Sequence, residues 1–149
     1  MVRSRLALAA LGVSAALVGA AEAQDPAFPD LVGSWVGEKT VYFFDGTRHS
    51  VEELQITRQD GSHFSGTRSW HHPEADKDPL GHVGGEQIHR ASEPILGIVD
   101  FDGETLHIVE HDDWAHIRAR LVDADTMEVV YIESGPNAAV YRVTLKRER

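Results

Sequence analysis

The chain contains no cysteine in its 149 residues. That excludes disulfides, thiol nucleophiles and thiolate-ligated metal, so any fold must be held by packing alone. Basic residues are also scarce: 14 Lys and Arg stand against 24 Asp and Glu, a net charge of −10. Such a balance disfavours nucleic acid, acidic polymers and anionic membrane surfaces as partners. There is no phosphate-cradling glycine loop, no dinucleotide fingerprint, no Gly-x-Ser-x-Gly elbow and no EF-hand loop. No convincing amphipathic helix of helical period can be read anywhere in the chain.

One apolar run is present. Arg3 and Arg5 precede Leu6–Ala20, which carries no charge, and Ala21-Glu22-Ala23 follows as a small-x-small site. This is the layout of a secretory signal peptide over 1–23, removed before Gln24. At 15 residues the run is shorter than the ~20 of a spanning helix. No other segment reads as a membrane span, and without a following Cys there is no lipid anchor. The expected location is periplasmic or secreted. Residues 24–30, with two Pro and no period, read as a tail, and 31–149 as one domain.

Within 31–149 the rhythm is strand, tight turn, strand. The period-two segments are 35–44, 50–58, 63–70, 95–101, 105–111, 114–122, 127–133 and 139–146. Asp45-Gly46, Asp60-Gly61 and Asp102-Gly103 supply hairpin turns. Ser92-Glu93-Pro94 interrupts the run that starts near Glu86. The fold class is all-β, an eight-stranded antiparallel up-and-down barrel; a two-sheet sandwich is the competing arrangement.

Trp35 follows Gly33 at the start of the first strand, and the last strand carries Arg142 and Lys146. With eight meander strands and an export leader, this resembles a lipocalin or wider calycin barrel. The resemblance implies that Trp35 packs across the closed end of the barrel under a last-strand basic residue, with Arg142 the best match and Lys146 the second. The chain is also similar to small exported bacterial barrels with a Trp-x-Gly opening, here Trp35-Val36-Gly37, and a late Tyr-x-Glu-x-Gly strand, here Tyr131-Ile132-Glu133-Ser134-Gly135.

Aromatics at strand positions are the first functional candidates. Trp35, Phe43, Phe64, Trp70, Trp114 and Tyr131 are expected near a ligand cavity or the closed end. A filled core is the other reading, and Gly66, Gly97 and Ala119 inside strands bear on it by leaving room. The expectation is a small apolar ligand, with no catalytic residue, metal or cofactor. Nine His are present, and His71–Gly85 is a long irregular loop with His71, His72, Glu74, Asp76, Asp78 and His82. It reads as a solvated loop able to contact a protein partner, and its spacing matches no closed metal site. Trp114, His116, Arg118 and Arg120 share a face expected to meet water, with Arg118 and Arg120 pairing Glu110 or Glu128. Two other functions fit a barrel of this size: an interaction or inhibitor module using the 71–85 loop, or a cyclase- or isomerase-type enzyme. Glu133, His107 or His116 inside the barrel would favour the enzyme.

Overall fold

The computed structural model describes residues 28–71, 81–83, 86–88, 90–111 and 114–149. The expected signal peptide and most of the 71–85 loop lie outside the described residues. The described residues form ten strands: β1 (Gly33–Phe43), β2 (Gly46–Asp60), β3 (His63–His71), β4 (Gly81–Val83), β5 (Glu86–Ile88), β6 (Arg90–Val99), β7 (Thr105–Glu110), β8 (Ala115–Asp123), β9 (Thr126–Glu133) and β10 (Ala139–Arg147). Eight of them close into an antiparallel barrel in the order β1-β10-β9-β8-β7-β6-β3-β2. The pair β4-β5 forms a small separate hairpin between β3 and β6.

Barrel closure fixes the stagger of the strands. Gly33 is level with Ile56, Gly66, Ile95 and Glu110. Ala115 is level with Glu133, Ala139 and Phe43. Val109 opposite His116 joins the two runs. One circuit therefore climbs β1 from Gly33 to Phe43, ten residues, as tilted strands require. A bulge between Ile56 and Arg58 interrupts the β2–β3 register.

Alternation then decides what is inside. Along β8, Ala115, Ile117 and Ala119 are buried while His116, Arg118 and Arg120 are exposed. Along β10, Ala139, Tyr141, Val143 and Leu145 are buried and the residues between them are not. The expected break at Pro94 does not occur; β6 runs through it. Pro94 has no N–H to give, but its carbonyl accepts the His111 N–H at 3.1 Å.

The lower half of the interior is filled. Trp35, Ile56, Leu106, Ile108, Met127 and Leu145 are fully buried there. Gly97 does not leave empty room: a Cβ there would fall 2.1 Å from Cζ of Phe64, so the Phe64 ring occupies that space.

Trp35 closes this end, but not under Arg142. The Arg147 guanidinium lies 4.3 Å from the Trp35 ring centroid, and Trp35 is opposite Arg147 in the register. Tyr141 and Leu145 point inward, so Arg142 and Lys146 must point outward, while Arg147 keeps the inward parity. The Trp35 Nε1–H donates to the Leu31 carbonyl at 3.0 Å, and Arg147 Nη1 donates to Val32 O at 2.9 Å. The end of the expected tail is part of this seal. Leu31 is fully buried, Phe28 packs on the core, and Gln59 ties Leu31 N and Pro29 O at 2.8 Å each.

Candidate functional site, a charged layer inside the barrel

Moving along the inward rows away from Trp35, the residue type changes from apolar to charged. The inward residue after Gly37 on β1 is Lys39. After Leu54 on β2 it is Glu52; after Gly66 on β3, Arg68; after Ile108 on β7, Glu110. On β9 and β10 the same level carries Tyr131 and Tyr141. All six are buried.

Arg68 is the hub. Its Nε donates to Glu52 Oε1 at 2.6 Å, its Nη1 to Glu110 Oε1, and its Nη2 to Tyr141 Oη at 3.0 Å. Lys39 Nζ donates to Glu52 Oε2, and Tyr141 Oη to Glu52 Oε1 at 2.9 Å. The Tyr131 hydroxyl stands 3.2 Å from Glu110 Oε2 and 3.0 Å from Glu133 Oε2, so its single proton serves two carboxylates. Aromatic faces complete the layer. Arg68 Cζ is 4.2 Å from the Trp70 centroid and 4.4 Å from that of Tyr131. Lys39 Nζ is 4.0 Å from the Tyr141 centroid, and Tyr131 stacks on Tyr141 at 4.7 Å and 13°.

Burying charges is costly unless each is paired and hydrogen-bonded, and this layer meets that condition with two cations and two fully buried carboxylates. Burial pulls the Glu52 carboxyl up, but Arg68 and then Lys39 outweigh it and hold it below the usual carboxylate range. Burial likewise opposes the Arg68 charge, and Glu52 with the surrounding groups overrides it, raising Arg68 well above its ordinary value. Burial beside Glu52 pushes the Tyr141 phenol well up. Lys39 goes the other way: its removal from water outweighs Glu52, and its ammonium is lowered to about 8.

Beyond this layer, toward the end opposite Trp35, the buried inward side chains are small or aliphatic: Ser50, Ala115, Ala139 and Val41. Half-buried Trp70, Phe43 and Glu133 border them. The interior is thus two-sided, sealed and apolar below, charged and aromatic above.

The six aromatics expected at a cavity do not converge on one place. Trp35 and Phe64 belong to the sealed half. Trp70 and Tyr131 belong to the charged layer. Phe43 lies further out, half-buried under the Arg48 guanidinium at 4.5 Å. Trp114 is not inside at all. It is 73 % exposed, because it precedes inward Ala115 and so shares the outward parity of His116.

Glu110 is the second correction. It was expected to pair with Arg118 or Arg120 on the outer face, but it points inward to Arg68. Arg120 does pair with Glu128, at 2.8 Å on the surface. Of the three residues whose place inside would favour an enzyme, His107 and His116 lie on the outer side, while half-buried Glu133 keeps the inward parity of Tyr131. The two His rings stack at 5.5 Å, with Nδ1 and Nε2 3.3 Å apart, and His107 Nε2 is 3.4 Å from Asp100 Oδ2. Among the described residues no group of three His, Asp or Glu is arranged to hold a metal ion. His72, Glu74, Asp76 and Asp78 fall outside the described residues.

No motif in the sequence marks Lys39, Glu52 or Arg68 as functional. Their signal was parity: each is two residues from an inward apolar position, and Arg68 shares a face with Phe64, Gly66 and Trp70.

No family model and no curated protein matches this chain. Solved structures do. A redesigned β-barrel, b11L5F_LGL, has a TM-score of 0.52 at 13 % identity, covering 80 % of this chain and 92 % of its own. EF1p2_mFAP2b, solved bound to DFHBI, has a TM-score of 0.50 at 13 % identity, covering 79 % and 94 %. The S-type phycobiliprotein lyase CPES of Guillardia theta has a TM-score of 0.47 at 13 % identity, covering 80 % and 89 %. The likeness is to a β-barrel fold.

Proposed function

We propose that this chain is an exported, lipocalin-like barrel that binds one small, mostly apolar, planar ligand without catalysis. The leader pattern over residues 1–23 supports export. The observation that carries the binding reading is the asymmetry of the interior. One end is plugged by Trp35, Leu31 and Arg147. The other presents small inward residues above a floor of Trp70, Tyr131 and Tyr141 with Arg68 and Lys39 between them. Stability alone does not call for a buried ionic layer, since well-packed apolar residues of similar volume are often as stable. A flat ligand entering from the far end would lie against aromatic faces, and one polar group on it would meet the charged floor. An eight-strand barrel, where side chains do not fill it, can hold a single small molecule. EF1p2_mFAP2b, a barrel of similar fold, does so with DFHBI; that supports the reading by fold analogy alone.

The test is native mass spectrometry of the chain purified from its own host, with thermal shifts against a panel of lipids, pigments and planar aromatics. A saturating ligand at a hundred times its Kd adds about 2.7 kcal/mol, or roughly 10 °C for a barrel of this length. A bound mass or a saturable shift supports the proposal. Neither, across the panel, overturns it.

A further inference from the structure

Lys39 is the inward residue of β1 at the top of the charged layer. The next inward residues toward the end opposite Trp35 are Val41 and Phe43. Its Nζ is held between a carboxylate and an aromatic face, on Glu52 Oε2 and 4.0 Å from the Tyr141 centroid. A binding role that needs only a positive charge is already met two strands away by Arg68, which cannot lose its proton. A lysine beside it adds something an arginine cannot: an amine that can become neutral and attack carbon.

From this geometry we infer that Lys39 holds its ligand covalently, as an imine with an apolar aldehyde or ketone. This deepens the ligand-binding reading and rests on it. The neutral Lys39 amine adds to the carbonyl carbon, forming C–N as the C=O π bond opens to a carbinolamine. The carbinolamine then loses its oxygen with two protons as water, leaving C=N. No oxidant or reductant enters. Protonation of the imine restores the positive charge of the original ammonium in the same place, so Glu52 remains its counterion and the balance of the layer is unchanged. The ligand's carbon skeleton then lies along Tyr141 and Tyr131, whose stacked rings suit a conjugated chain.

The reaction needs the free amine, and burial supplies it by lowering Lys39 to about 8. The groups facing it set that value from every side. Glu52 on β2 and Glu110 on β7 raise it, and Arg68 on β3 lowers it. Tyr141 on β10, Tyr131 and Glu133 on β9 and Glu93 on the inward row of β6 complete the surroundings.

The chain carries three lysines, Lys39, Lys77 and Lys146, which makes the site easy to read out. The full chain is incubated with cinnamaldehyde, reduced with borohydride to fix any imine, and digested. The expected result is adduct on Lys39 at least tenfold above Lys146, rising with pH through about 8, and a red-shifted absorbance before reduction that K39M lacks. K39M is checked for folding by circular dichroism. A second arm needs no variant: cinnamyl alcohol, which cannot form an imine, should protect Lys39 in the wild-type chain. Equal labelling of the lysines, or no adduct on Lys39, overturns the inference. If the alcohol raises the melting temperature while Lys39 stays unlabelled, binding stands and the covalent step fails. If neither compound binds or reacts and the ligand panel is also blank, both fail together.

Discussion

Arg68 and Glu110 meet inside the barrel from strands that are not neighbours; β6 lies between β3 and β7, and the two residues are 42 apart in the chain. Their ion pair spans the interior where a core would ordinarily be apolar. With Glu52 and Lys39 it makes the upper half of the barrel a bound set of charges rather than a packed hydrophobic layer.

Breaking that set should cost more than any surface change. R68M leaves Glu52 and Glu110 without their shared cation and is expected to lose about 3–5 kcal/mol. Replacing Arg68, Glu52, Glu110 and Lys39 together with apolar residues of similar volume should recover most of that loss. Urea denaturation of the two variants checks this. An R68M cost under about 1 kcal/mol would contradict the closed network.

Stability should vary with pH in three separate windows. Glu52 is held below its ordinary value, so its contribution is full above about 4.5 and is lost as pH falls further. Lys39 is lowered to about 8 from 10.5, so between those values the unfolded chain binds the extra proton and stability rises with pH. Tyr141 is raised above 10, so above that value the unfolded chain sheds the proton first and stability falls. Denaturation midpoints from pH 3 to 11 should therefore drop in acid, climb between 8 and 10, and drop again. K39M should flatten the climb and, because Lys39 also helps hold Glu52 down, weaken the acid drop.

The seal at the other end separates two arginines of one strand. R147A removes a cation stacked on a buried indole and its bonds to Val32 O and Ala124 O, and should cost about 2 kcal/mol. R142A, on an exposed outward position, should stay within about 0.5 kcal/mol. W35A should lose about 3–5 kcal/mol. Thermal unfolding ranks the three.

Gly97 is read as space already taken by Phe64. G97A puts a Cβ against that ring and should cost about 1–3 kcal/mol, and F64L in the same chain should relieve much of it. A neutral G97A would mean the ring is free to move.

Much of this fold can be read from the chain, because period two and Asp-Gly turns are local signals. Eight strands, their hairpin order and the burial of Trp35 follow from them. What fails is what depends on parity carried across a whole strand. Arg142 looks right for the Trp35 lid by residue type, yet Tyr141 beside it is inward, and only Arg147 has both the charge and the face. Trp114 looks like a core aromatic until Ala115 is placed inside. Lys39, Glu52 and Glu110 were passed over or turned outward because charge is a strong prior for the surface. Only the long-range meeting of strands shows that each has a partner within. The candidate site was legible only as its aromatics Trp70 and Tyr131.

The central claim is that the charged half of the interior receives a small ligand. Native mass spectrometry of the chain from its own host, followed by gentle denaturation to release what it carries, asks this directly. The account predicts one small molecule per chain, lost or weakened in W70A while K146A keeps it. A chain that arrives empty, and that stays at one melting temperature across the ligand panel, would contradict it.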